Sequence, residues 1–247
     1  MSGHSKWSTI KRKKGAADAK RSKMFSKIVK EIAIAVKESG PDPEANPRLR
    51  LAMNNAKGVN MPKDNVERAI NKADKDGDNY EEMSFEGYAP NGIAVFVDCL
   101  TDNKNRVVSN VRAIFTKYNG SLGTNGSLSF LFDTKGIFTF PVAEGIDMDE
   151  FELEMIDAGA EDIEVEEGLI TVTTAKEDFG SVQKKLDELN IEVENAGLQR
   201  IPNDTKELDV ESALKVLKMI DAFEDDDDVQ NVYHSLELTD EVAAAME

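Results

Sequence analysis

The chain has 247 residues, enough for two or three compact domains, and its 40% apolar and 32% charged content excludes a disordered or collagen-like class. Apolar runs such as Ile93–Val97 are far too short to cross a bilayer, so no membrane partner is expected. The single cysteine, Cys99, excludes an intrachain disulfide framework and fits a reducing compartment; with no secretory signal in the opening Met-Ser-Gly-His-Ser-Lys-Trp, a cytoplasmic location is expected. The net charge of −18 taken alone argues against a polyanionic partner. Its distribution reverses that argument. Residues 1–79 hold 18 Lys+Arg against 10 Asp+Glu, whereas residues 80–247 hold 12 against 38. Among the first 30 residues the count is ten basic to one acidic, Asp18. Exposed charges are screened beyond about 8 Å at physiological salt, so the local field decides where a polyanion docks.

In chain order, residues 1–20 lack apolar periodicity and read as an arm that is flexible or orders on a partner. A helix follows. Phe25, Ile28, Val29, Ile32, Ala33 and Val36 form its apolar stripe, and Lys20, Lys23, Lys27 and Lys30 form a second stripe at one-turn intervals. Gly40-Pro41 stops it. Asn46-Pro47 caps and opens a second helix with Leu49, Ala52, Met53 and Ala56 inside; Pro62 opens a third with Val66, Ala69, Ile70 and Ala73. Residues Asp74–Asn79 read as a linker.

Strand character then begins. Ile93–Leu100 reads as a buried strand, Val107–Phe115 as a helix closed by Asn119-Gly120, and Leu128–Phe132 as a further strand. Gly136–Phe140, Met148–Ala158, Ile163–Val165, Leu169–Thr173, Phe179–Leu189 and Ile191–Asn195 give strand-helix-strand-strand-helix-strand, the ferredoxin-like order. A helix, Val210–Phe223, and a strand, Val229–His234, complete the first, interrupted α+β unit. The expected fold class is therefore α+β. A three-helix domain (1–79) precedes a discontinuous α+β domain (80–132 plus 202–247) that carries an inserted ferredoxin-like domain (133–201).

The stretch Lys6-Trp7, then Lys11-Arg12-Lys13-Lys14 and Lys20-Arg21, carries the most chemistry. Lysine and arginine release counterions from a phosphate backbone, and an exposed Trp7 offers a face to an unpaired base. Trp7 could equally pack on the first helix, and His4 reads as a solvated side chain. Gly120-Ser-Leu-Gly123-Thr-Asn-Gly126 resembles loops that approach a phosphate backbone, but it lacks the lysine of a phosphate-binding loop and opens no clear helix, and turns needing positive φ explain its glycines more cheaply. Asp178-Phe179-Gly180 lacks the motifs that accompany the kinase tripeptide it imitates, Asp225–Asp228 reads as a solvated acidic loop, and Cys99 as core. Two histidines and one cysteine assemble neither a zinc set nor a Cys-His nucleophile pair. No catalytic residue, metal site or cofactor is expected.

The opening GHSKW and IKRKKGAADAKRSKMFSKI, followed by DPEANPRLR, NMPKDNVERAI, EGYAPNGIAVFVDCLTDNKNRVVSNVR, NGSLGTNGSLSFLF, AGAEDIE and DDVQNVYHS, resemble the YebC/PmpR family of probable transcriptional regulators over essentially the whole chain. Phe130 stands where relatives often have a larger aromatic, a mild departure. The resemblance implies a helical domain with two α+β domains, the last inserted in the second. It also implies two traditions of function. Bacterial relatives are described as DNA-binding regulators of transcription; a mitochondrial relative is a translational activator of a cytochrome oxidase subunit, and some bacterial relatives are linked to the ribosome.

Both traditions fit a non-enzymatic nucleic-acid-binding regulator. A DNA reader needs side chains for base edges, yet the first helix is rich in lysine and poor in Arg, Asn and Gln. A basic arm with one aromatic suits ribosomal RNA. For either target the expected contact residues are Lys6, Trp7, Lys11, Arg12, Lys13, Lys14, Lys20, Arg21, Lys23, Lys27 and Lys30. The acidic α+β part is expected to face solvent or a protein partner.

Overall fold

A computed structural model describes residues 18–76, 79–142 and 147–246. Three helices come first: α1 (Asp18–Ser39), α2 (Pro47–Gly58) and α3 (Lys63–Asp76). Residues 18–20, read from sequence as part of the arm, belong to α1; α3 likewise runs through Asp74–Asp76 of the expected linker. Gly40 ends α1 with φ +85 and donates its N–H to Val36 O at 2.7 Å, a left-handed stop that a Cβ would strain.

Asn46 joins the first two helices. It is 1% exposed, and its Oδ1 accepts the Leu49 N–H at 3.0 Å as the N-cap of α2. Its Nδ2 donates to Ala35 O at 2.7 Å and to Gly40 O at 2.8 Å, satisfying carbonyls at the end of α1. Arg48 braces the same pair of helices, with Nε 2.8 Å from Glu31 and Nη1 3.0 Å from Glu38.

The remaining elements are β1 (Glu81–Ala89), β2 (Ile93–Thr101), α4 (Lys104–Lys117), β3 (Ser121–Leu122), β4 (Phe132–Pro141), α5 (Met148–Ala158), β5 (Ala160–Glu166), β6 (Leu169–Ala175), α6 (Phe179–Glu188), β7 (Asn195–Pro202), α7 (Val210–Glu224), β8 (Val229–His234) and α8 (Asp240–Ala244). They form two four-stranded sheets, ordered β3-β1-β2-β8 and β5-β6-β4-β7. The expected α+β class, a helical region followed by two antiparallel sheet-containing parts, is what the chain adopts.

The chain divides into two compact units. One comprises, among the described residues, 18–75 and 134–200. Its sheet has the expected ferredoxin-like order, with α5 and α6 supplying Phe151, Met155, Val182 and Leu186 to a core shared with Phe138, Phe140, Ile170 and Val172. Burying each phenylalanine contributes about 1.5–3 kcal/mol. The helical segment packs on this sheet. Asn55 pairs with Ala196 like a strand neighbour, donating to its carbonyl and accepting from its N–H, both at 2.8 Å. Gly58 allows this approach, since a Cβ there would lie 1.7 Å from Glu194 O.

The other unit comprises 76–133 and 201–246. It reaches a similar layering by another chain order, opening with the β1–β2 hairpin. Val107, Val111 and Phe115 of α4 and Val216, Ile220 and Phe223 of α7 pack with Val95 and Val97 of β2. Phe96 and Tyr233, on the sheet's other face, are covered by Leu128 and Phe132, the Phe96 and Phe132 rings meeting edge-on at 5.1 Å.

Three sequence expectations are corrected. Leu128–Leu131 is not a strand: Ser129–Leu131 is a 3-10 turn, Phe132 opens β4 of the other sheet, and the third strand of the sheet that holds β1 and β2 is Ser121–Leu122. Glu86 is the reason. It is buried, and its carboxylate accepts the Gly126 and Leu128 N–H groups at 2.6 Å each, so those amides are unavailable to a ladder. The last strand of the inserted part is Asn195–Pro202 rather than Ile191–Asn195, because Ile191 N–H closes the end of α6 on Leu186 O at 3.0 Å. Of the loop glycines 120, 123 and 126, only Gly126 has positive φ; Gly120 is needed for close approach, as its Cβ would lie 2.7 Å from Tyr88 O.

Candidate nucleic-acid interface

Helix α1 carries the described part of the expected interface. Its last turns bury five consecutive residues, Ile32–Val36, so packing surrounds the helix there, whereas the described residues before Ile32 are half-buried or exposed. Arg21 is exposed, whereas Lys23, Lys27 and Lys30 are half-buried and each already has an electrostatic or hydrogen-bonding partner. Their spacing of four and three residues sets them along one side of the helix. Lys20 occupies a position in the first turn of α1. Lys6, Trp7, Lys11, Arg12, Lys13 and Lys14 lie outside the described residues.

Other cations near this helix have structural work. Arg48 is committed to Glu31 and Glu38, and Arg50 donates to Pro43 O at 2.8 Å. Sequence spacing gave no warning of this, because the partners of Arg48 lie 17 and 10 residues away.

The acidic run Asp225–Asp228 is not simply a solvated loop. Asp228 is 2% exposed and is held by Arg106, whose Nε and Nη2 donate to it at 2.8 Å each. Hydrogen bonds donated to Asp228 and then Asp102 hold the Arg106 guanidinium above its ordinary pKa. Asp226 accepts from Asn110 Nδ2 and from the Asp228 N–H. These carboxylates are therefore engaged in joining α4 to the α7–β8 turn. Among the described residues no group of three His, Cys, Asp or Glu side chains could hold a metal ion, and no helix is long and apolar enough to cross a membrane. Cys99 is buried, as read from sequence, and Phe179 of the Asp-Phe-Gly triplet stacks on Phe138 at 4.6 Å.

Two family models match consecutive parts of the chain. The TACO1/YebC N-terminal domain covers residues 5–76, and the TACO1/YebC second and third domain covers residues 80–236. A probable transcriptional regulatory protein of Amoebophilus asiaticus is 54% identical over 239 residues, spanning 96% of this chain and 98% of that one. One from Geotalea uraniireducens is 51% identical over 243 residues, spanning 98% of each. The crystal structure of a conserved hypothetical protein from Aquifex aeolicus superposes with a TM-score of 0.82 at 42% identity, covering 91% of this chain and 93% of that one. With both family models matched in order and relatives of this identity along nearly its full length, the chain belongs to the TACO1/YebC family.

Proposed function

We propose that this protein is a non-enzymatic, nucleic-acid-binding regulator of gene expression, acting in the cytoplasm as a DNA-binding transcriptional regulator. The observation that carries this reading is charge polarity: ten basic residues against one acidic in the first 30, with Arg21, Lys23, Lys27 and Lys30 along the N-terminal half of α1. The names of the relatives support the transcriptional branch. In this reading the contact surface is Lys6, Trp7, Lys11, Arg12, Lys13, Lys14, Lys20, Arg21, Lys23, Lys27 and Lys30. Three functional parts cooperate: residues 1–79 bind, while 80–132 with 202–247, and 133–201, repel polyanions and present an acidic surface to a protein partner.

A second reading is binding to ribosomal RNA as a translation factor. It is favoured by a lysine-rich stripe without Asn or Gln and by one tryptophan among the arm's cations, chemistry that positions a backbone and stacks a base more readily than it reads a duplex.

Sucrose-gradient sedimentation of lysate, with and without RNase, combined with gel shifts on duplex DNA, tests both. Sequence-dependent shifts of duplex DNA by a protein that stays at the top of the gradient support the transcriptional reading. RNase-sensitive migration with ribosomes supports the translational one. Lys23→Glu/Lys27→Glu/Lys30→Glu should weaken binding and flatten its salt dependence in either case. Unchanged binding by that triple variant would remove α1 from the interface.

A further inference from the structure

Helix α4 is an exception within the acidic part of the chain. Residues 80–247 hold 38 Asp+Glu and 12 Lys+Arg, yet α4 holds four of those cations and no carboxylate. Each of α5, α6, α7 and α8 carries acidic residues. One side of α4, Val107, Val111 and Phe115, is sealed in the core. Two adjacent rows face outward and are exposed: Asn105, Ser109, Arg112 and Thr116, then Arg106, Asn110, Ala113 and Lys117.

The two halves of this face differ. In the N-terminal half the cations, and Asn110, are taken. Lys104 pairs with Glu81, Arg106 with Asp228 and Asp102, and Asn110 with Asp226. In the C-terminal half no carboxylate among the described residues pairs with Arg112 or Lys117. Lys117 Nζ lies 5.4 Å from the Tyr118 ring centroid. The hydroxyls of Ser109 and Thr116 donate to carbonyls one turn earlier and keep acceptor capacity, and Ala113 offers little bulk between the two cations.

We propose that the C-terminal half of α4 is a second nucleic-acid contact and that its occupant is duplex DNA. The proposal rests on the nucleic-acid-binding reading above and adds a site outside the basic N-terminal region. Arg112 supplies a planar fork that pairs with guanine edges or with phosphate, the same chemistry that Arg21 offers on α1; Lys117 supplies a phosphate contact. A single strand is disfavoured because this face exposes no aromatic ring on which bases could stack, Tyr118 being half-buried. An RNA duplex is disfavoured because side chains cannot read its deep, narrow major groove. The carboxylates around Arg106 repel phosphate and confine the contact to the half of the helix that contains Arg112.

Fluorescence anisotropy on the full chain tests this, with a labelled random-sequence DNA duplex and a labelled RNA hairpin as probes across a series of salt concentrations. Arg112→Glu/Lys117→Glu should weaken duplex binding at least tenfold and make the log–log salt slope shallower by about 1 to 2, as expected for loss of one or two phosphate contacts. Lys215→Glu/Lys218→Glu, the same charge change at two exposed positions of α7, should have a much smaller effect. Hairpin binding should stay within about threefold of wild type in the α4 variant. Wild-type duplex affinity in the α4 variant overturns the proposal, as does an equal loss in the α7 control. An equal loss on the hairpin overturns the choice of duplex DNA. A loss in the α4 variant with no loss in the Lys23/Lys27/Lys30 variant supports this site and refutes the α1 interface. Failure of wild type to bind either probe refutes both.

Discussion

Asparagine and aspartate are nearly equivalent N-caps in most helices, so Asn46→Asp is a sharp test of how α1 and α2 are joined. The Asn46 side chain makes three hydrogen bonds, and only one of them, from Leu49 N–H to Oδ1, is a capping bond. The other two are donated by Nδ2 to Ala35 O and Gly40 O. Alanine loses all three, about 3 kcal/mol if the cap and each donated bond contribute about 1. Aspartate keeps the cap but loses both donations, about 2 kcal/mol, and turns a buried carboxylate toward two carbonyl oxygens. Asn46→Asp should therefore be at least as damaging as Asn46→Ala near neutral pH. Hydrogen exchange at the Gly40, Leu49 and Arg50 amides reads the local opening directly. A loss of 2 kcal/mol corresponds to roughly 30-fold faster exchange. Protonation of the introduced carboxyl restores a donor, so its folded pKa lies above its unfolded value. The stabilisation from the protonated form is complete below the unfolded pKa and is lost as pH rises through the folded one. Exchange in Asn46→Asp within about threefold of wild type at neutral pH would refute this account of the junction.

Glu86→Ala removes the acceptor of two short bonds and leaves the buried Leu128 N–H unpaired; a loss of about 2–4 kcal/mol is expected, with exchange rising first at Gly126 and Leu128. Preserved protection at both amides would show that the carboxylate does not hold the loop. Gly58→Ala sets a methyl against the Glu194 carbonyl and should lower the melting temperature more than Asn55→Ala, which loses two hydrogen bonds but creates no overlap; the reverse order of melting would contradict the close approach of α2. Asp209 caps α7, and its carboxyl is held below the usual carboxylate range by the Ser212 hydroxyl and then the Ser212 amide. Its contribution is complete above the unfolded pKa and is lost as pH falls through the lower, folded value. Asp209→Asn should therefore reduce the acid-induced fraying of α7 seen by circular dichroism, and equal fraying in both proteins would exclude Asp209 as its source.

Elements whose stabilising partners are local were legible in the sequence. Helix α5 falls on the expected residues, Met148–Ala158, because its N-cap Asp147, the left-handed Gly159 after it and a regular apolar pattern all lie within or beside the segment; strand β8 also falls on its expected residues, Val229–His234, although its partner β2 is distant in sequence. Strand β1 was not identified. Met83 and Phe85 alternate as a half-buried strand should, but two leading glutamates and the buried Glu86 hide the pattern. Leu128–Phe132 shows the opposite failure: continuous apolar sequence suggests a strand, while the residue that prevents one, Glu86, lies 42 positions from Leu128. Ile191 and Val193 alternate like a strand and pack against the core, yet do so from a loop. The lysine stripe was found by spacing alone. Its half-burial was not, since that depends on what packs beside α1 rather than on α1 itself.

That half-burial changes where binding energy can come from. Lys23, Lys27 and Lys30 are half-buried, and a half-buried lysine commonly packs its stem while its ammonium stays near the surface. Each already has a partner, however, and a phosphate must displace or share it. The gain from such a lysine is the difference between two favourable interactions, smaller than the contribution of an unengaged cation. Exposed Arg21 faces a smaller exchange cost on this argument, and its fork can hold one phosphate through two hydrogen bonds. If the basic N-terminal region binds nucleic acid, the three lysines of α1 chiefly orient the strand, and a larger share of the salt-dependent affinity falls to Arg21 and to the cations that precede it in sequence.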